Sequence, residues 1–248
     1  MPKKVVKQAV KKASKKNVKT ILPIAGPDRS LCLNRRPPFR DETAGHGYRR
    51  GEGTGGITFG LLDNHGSSNL ATGALQIHTE LYHFSNSDVT NHSAGFHTHF
   101  IAESDTYTCL HQQATGLKRM KFTVTCVIDK LTHKFNRHWL PNTNRSSSIS
   151  YLTEFHIMLP GTNEILKFEL ARRSYSGWTN FTNNLDLVPP GTVKTFVATT
   201  TNAYPVRNGV TYHIGLYSDH HVTAQNVFIS SIGEASIRVT NLVICAVV

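Results

Sequence analysis

Met120-Lys-Phe-Thr-Val-Thr-Cys-Val-Ile128 puts Met120, Phe122, Val124, Cys126 and Ile128 on alternate positions with mostly polar residues between them. Side chains of a strand point to opposite faces in turn, so this spacing predicts a strand with one buried face. Similar segments follow at 57–62, 75–84, 96–103, 149–158, 165–171, 193–199, 210–217, 226–232 and 235–247. Turn chemistry separates them: Pro160-Gly161, Pro189-Pro190-Gly191, Asn208-Gly209 and the run from Pro141 to Ser148. No convincing helical period appears after Gly56, and nine or ten strands are predicted. The uneven connections favour Greek-key crossings over a meander of tight hairpins. The expectation is an all-β, antiparallel, eight-stranded jelly-roll β-sandwich carrying a disordered basic N-terminal arm.

Charge divides the chain. Residues 1–50 hold fourteen Lys and Arg against Asp28, Asp41 and Glu42, which accounts for the whole net charge of +11, and residues 51–248 sum to zero. Like charge at this density repels itself and stays unfolded until a polyanion neutralises it. The proposed phosphate contacts are Lys3, Lys4, Lys7, Lys11, Lys12, Lys15, Lys16 and Lys19, with Arg29, Arg35, Arg36, Arg40, Arg49 and Arg50 nearer the body. Residues 3–19 place Val6, Ala9, Val10 and Ala13 at helical spacing, so a basic helix is expected there once charge is screened. The organisation read from this is a basic arm over 1–50, a Gly-rich hinge over 51–56 and a β-domain over 57–248.

Cys32, Cys109, Cys126 and Cys245 form no C-x-x-C pair, which predicts reduced thiols in an intracellular protein. Lysines stand where a secretory signal needs an apolar core, and the longest apolar run, Leu242 to Val248, is too short to span a bilayer. No membrane insertion is expected. Gly51-Glu-Gly-Thr-Gly-Gly56 matches G-x-G-x-x-G in form only, since a dinucleotide loop needs a strand before it and a helix after it.

A Lys/Arg-rich arm, a Gly-rich joint and an all-β body ending in the strand-like Gly233-Glu-Ala-Ser-Ile-Arg-Val-Thr-Asn-Leu-Val-Ile244 together resemble the single-jelly-roll coat proteins of small non-enveloped icosahedral viruses. The resemblance implies a capsid protein and no enzyme. Its partners would be viral genomic nucleic acid, RNA favoured over DNA by the resemblance alone, and itself as a large homo-oligomer. Its location would be the virion, with host cytoplasm or nucleus during assembly. A shell of sixty subunits would present roughly 660 arm charges to the packaged strand, each able to replace a condensed counterion. No cofactor is expected, although loop carboxylates of such coats can hold interfacial Ca2+, for which the sequence names no residues.

The competing class is a cupin-like metal-dependent enzyme. His97-Thr-His99-Phe-Ile-Ala-Glu103 is similar to the first cupin metal motif, because two histidines two apart share a strand face and a later carboxylate can join them. His138-Trp-Leu-Pro-Asn142 echoes the second, but the flanking glycines and the P-x-G-x-x-H run are missing. Fourteen histidines, with clusters at His78, His83, His92, His97, His99 and His220-His221, suggest a pH response. If they lie at subunit contacts, protonation below about pH 6.5 loosens the assembly, and light scattering of particles across that range reports the change.

Overall fold

A computed structural model describes residues 32–39, 46–54, 65–69, 71–85, 90–103, 116–139, 146–159, 161–177, 180–205, 212–225 and 227–247, with the backbone alone for 46–54, 83–85, 90–103, 139, 146 and 225. Among these residues there are thirteen strands and no helix. In chain order they are β1 (Cys32–Arg35), β2 (His46–Thr54), β3 (His65–Asn69), β4 (Ala74–Ser85), β5 (Thr90–Glu103), β6 (Leu117–Trp139) and β7 (Ser146–Met158). Then follow β8 (Ile165–Ser176), β9 (Phe181–Asp186), β10 (Thr192–Thr199), β11 (Tyr204–Pro205), β12 (Tyr212–Gln225) and β13 (Val227–Val247). One sheet runs β10-β6-β13-β4-β3, with β1 added to β13 and β9 and β11 to β6. The other runs β2-β5-β12-β7-β8, and every pairing in both sheets is antiparallel. The all-β, antiparallel expectation holds at that level.

The alternation at Met120 to Ile128 becomes one wall of the core, with all five alternating side chains fully buried. Strand β6 does not stop there. Asp129 is an extra residue relative to β13, so the inward positions change from even to odd and continue through Leu131, His133, Phe135 and Arg137. Strand β13 compensates at Thr240, after which Leu242, Ile244 and Ala246 face inward. Both irregularities are tied by side chains. Arg238 donates two hydrogen bonds to Asp129, at 2.7 and 2.9 Å, and the Thr240 hydroxyl donates to the Thr125 carbonyl at 3.1 Å.

Segments 226–232 and 235–247, separated in sequence by Gly233, are one strand. Gly233 marks a close approach in place of a turn: a Cβ there would sit 2.3 Å from the buried ring of Tyr151 on β7. Gly73 is constrained differently. It has φ +71° beside the Val239 carbonyl and donates no room for a Cβ, while its own carbonyl accepts from Val239 N–H at 2.9 Å.

Strand pairing runs across residue 50, while residues 55 and 56 lie outside the described residues. Strand β2 pairs from His46 to Thr54 with β5. Strand β1 lies on β13, Leu33 packs on the core and Phe39 is buried in it. Residues 57–62 and the segment 3–19 lie outside the described residues. The expectation of reduced thiols is overturned for two of the four cysteines: Cys32 and Cys245 face each other in the β1–β13 register and are joined in a disulfide across 213 residues. A pairing so distant in sequence is set by the sheet register, which no local spacing reveals. Cys126 is free and buried, and burial pushes its thiol up to about 11 against a smaller pull from Lys194.

Closing so long a loop restricts the unfolded chain, so Cys245→Ser is expected to cost about 2 to 5 kcal/mol of stability. Denaturation without reductant measures this, and adding a dithiol to the native protein should reproduce it. Equal stability of variant and native protein would count against the bond.

Candidate functional site

Of the sequence-predicted phosphate contacts, Lys3, Lys4, Lys7, Lys11, Lys12, Lys15, Lys16, Lys19, Arg29 and Arg40 lie outside the described residues. Arg35 ends β1 opposite Leu242, and Arg36 follows it exposed. Arg49 and Arg50 sit on β2 opposite Phe96 and Gly95. His97 and His99 hold β5 positions opposite Tyr217 and Gly215 of β12, which in turn face Glu154 and His156 of β7. Glu103 lies beyond an irregularity between Phe100 and Glu103, which takes it out of the two-residue phase of His97 and His99. Among the described residues no group of three or more His, Cys, Asp or Glu is arranged to hold a metal.

The structure brings together a constellation that no motif announced. Inward positions of five strands turn polar or small at one level of the sandwich: Thr79 on β4, His133 on β6, Tyr151 on β7, Ser218 and His220 on β12, and Ser231 with Gly233 on β13. The level is continuous because the register aligns it, with Thr79 opposite Gly233, Gly233 opposite His133, and Tyr151 opposite His220. It separates two apolar clusters, a larger one around Phe122, Phe155 and Leu216 and a smaller one around Leu81, Phe135 and Val222.

Hydrogen bonds cross the layer from sheet to sheet. His133 Nε2 lies 2.8 Å from Ser231 Oγ, His220 Nδ1 2.7 Å from the same oxygen, and His220 Nε2 2.7 Å from Thr79 Oγ1. Thr79 Oγ1 reaches Ser218 Oγ at 3.1 Å and the Gly233 carbonyl at 3.4 Å. We assign both histidines as Nε2–H tautomers. His133 then donates to Ser231, Ser231 to His220 Nδ1, His220 to Thr79, and Thr79 onward to Ser218 or the Gly233 carbonyl. Of the two rings only a lone pair, His133 Nδ1, is left without a partner, and the Tyr151 hydroxyl of the layer has none either. The opposite tautomers would leave an N–H unsatisfied there, costing about 1 to 3 kcal/mol.

Both rings are held neutral. Burial, and then the charge of Arg173, pushes His133 down to about 4. Burial, followed by the neighbouring His133 and His78, pushes His220 well below the ordinary histidine range. The His133 ring stacks on Tyr151 with centroids 4.4 Å apart and planes 1° from parallel. The layer offers neither an exposed nucleophile nor an opening to substrate, and its chemistry is that of a structural relay of neutral donors and acceptors.

A second pair lies on β7. His156 Nε2 and Glu154 Oε2 are 2.8 Å apart, both residues are buried, and Tyr217 stacks on the imidazole at 5.1 Å. Burial lowers the His156 pKa more than Glu154 raises it. Elsewhere, Glu164 ties the β7–β8 loop to the segment after β10, accepting from the Thr201 and Asn202 backbone, the Asn202 amide and, at 2.5 Å, the Tyr204 hydroxyl.

The unfolded chain takes up protons at His133 and His220 below pH 6.5, while the folded chain resists until about pH 4 at His133. Stability is therefore complete above pH 6.5 and falls on acidification, by about 1.4 kcal/mol per pH unit for each histidine so held. Between pH 6.5 and about 5, before carboxylates enter, His133→Gln and His220→Gln should each remove about 1.4 kcal/mol per pH unit of the slope in urea titrations, with His156 contributing to what remains. An unchanged slope would show that the layer does not govern acid stability.

No protein-family model matches the chain, and no curated protein matches it.

Proposed function

We propose that this chain is a capsid protein, in which the β-body tiles an icosahedral shell and the basic N-terminal segment packages the genome. The observation that carries the reading is the strand order. Eight strands fall into two interleaved runs, β10-β6-β13-β4 and β5-β12-β7-β8, as a jelly roll requires. On this reading strands β1, β2, β3, β9 and β11 flank the eight-stranded roll. The confinement of the net charge of +11 to residues 1–50 supports the second half of the reading, since an uncharged body lets subunits pack without mutual repulsion.

Packaging on this account is phosphate contact. It is indifferent to base sequence and steep in salt, and it takes RNA or DNA, with RNA preferred on the coat resemblance. The shell is a large homo-oligomer located in the virion.

Deleting residues 2–20 removes eight of the fourteen N-terminal cations. The expected outcome is loss of most nuclease-protected nucleic acid, with the circular dichroism of the β-body unchanged. Retention of native nucleic-acid content by the deleted protein would contradict the reading.

A further inference from the structure

The basic segment enters the body at Cys32, and the register fixes what lies beside that point. Cys32 faces Cys245, and Cys245 faces Lys121 of β6, so the entry point and Lys121 share one row of the sheet. With strands spaced about 4.8 Å apart, Cys32 and Lys121 are separated by about 10 Å. Arg119 stands on the same face, two residues toward the start of β6, opposite Val247, whereas half-buried Lys118, opposite Tyr204, falls on the alternate, inward phase with Met120.

Arg119 and Lys121 are exposed, and neither has a carboxylate partner among the described residues. Further along the same sheet the charges are mostly answered. Lys130 pairs with Glu234 at 2.6 Å, and Arg238 pairs with Asp129. Unanswered positive charge on this face is therefore concentrated where the arm begins. The neighbouring positions, Thr199, Thr123, Cys245 and Val247, supply no aromatic platform for a base.

We propose that Arg119 and Lys121 form a nucleic-acid docking surface on the body that continues the arm's phosphate contacts onto the sheet. The inference rests on the capsid reading and adds to it. A strand held by the arm is delivered to this patch, which anchors it to the shell wall through phosphates alone. Neither residue was marked by the sequence, because Arg-Met-Lys within a strand reads as an ordinary solvated face until β1 and β13 are placed beside it.

The test measures binding of a short labelled oligouridylate, and of the matching oligothymidylate, to the full-length chain over a range of salt concentrations. Replacing Arg119 and Lys121 together by Gln should flatten the slope of log K against log salt by about 1.4, at about 0.7 per phosphate contact on a single strand. A control replacing Lys134 and Lys167 by Gln removes the same net charge elsewhere on the body and should leave the slope nearly native. The charge-retaining variant Arg119→Lys, Lys121→Arg should also bind as the native chain does, which separates charge from any effect on folding. A native slope in the Gln variant, or equal losses in variant and control, overturns the docking surface while leaving the arm's role intact. Absence of salt-dependent binding by the native chain overturns both readings.

Discussion

The ladder between β6 and β13 is the constraint on which the rest depends. These are the two longest strands, 23 and 21 residues, and they lie side by side in the middle of the larger sheet. Strand β6 carries β9, β10 and β11, and β13 carries β1 and β4, so an error in their register would displace every other strand of that sheet. A slip of one residue would also turn the buried row of Met120, Phe122, Val124, Cys126 and Ile128 to solvent. Burying side chains of this size is worth about 1.5 to 3 kcal/mol each, which fixes the register strongly. The two irregularities, at Asp129 and Thr240, reverse the phase of each strand and are pinned by Arg238 and by the Thr125 carbonyl.

The polar layer adds specificity to a core that hydrophobicity alone would leave tolerant of sliding. A cross-sheet chain of His133, Ser231, His220 and Thr79 is satisfied only when four strands are aligned to within a residue. Tyr151 fills the space that Gly233 vacates, so the layer is also a steric key. Because the rings are buried neutral, the same device that specifies the register makes the body sensitive to acid. The histidine response looked for at subunit contacts has, in this part of the molecule, an interior origin.

Sequence made the central strands legible where one face is apolar over many residues, as at Met120 to Ile128 and along β7, β8, β10 and β12. It lost them where the phase reversed: β6 seemed to end at Ile128 because Asp129 shifts the alternation, and β13 seemed to break at Gly233 because a glycine for close packing looks like a glycine for a turn. Strands β1, β3 and β9 lack an apolar alternation and owe their conformation to a partner edge. The layer itself left a faint trace, polar residues interrupting the apolar inward phase, such as Thr79 between Ile77 and Leu81 or His133 between Leu131 and Phe135. Only the register shows that these interruptions meet. The Cys32–Cys245 bond was hidden for the same reason, and it fastens the root of the basic segment to the C-terminal strand at the start of the central ladder.

A neutral β-body and a cationic leader fastened to its central strand suit a subunit that tiles a closed surface around a polyanion. The account is tested most directly by the mass and nucleic-acid content of the species that the expressed chain forms, measured by sedimentation velocity at two wavelengths. It predicts a megadalton particle whose ultraviolet absorbance is dominated by nucleic acid. A monomer or dimer free of nucleic acid, carrying one equivalent of iron, manganese or zinc, would contradict it.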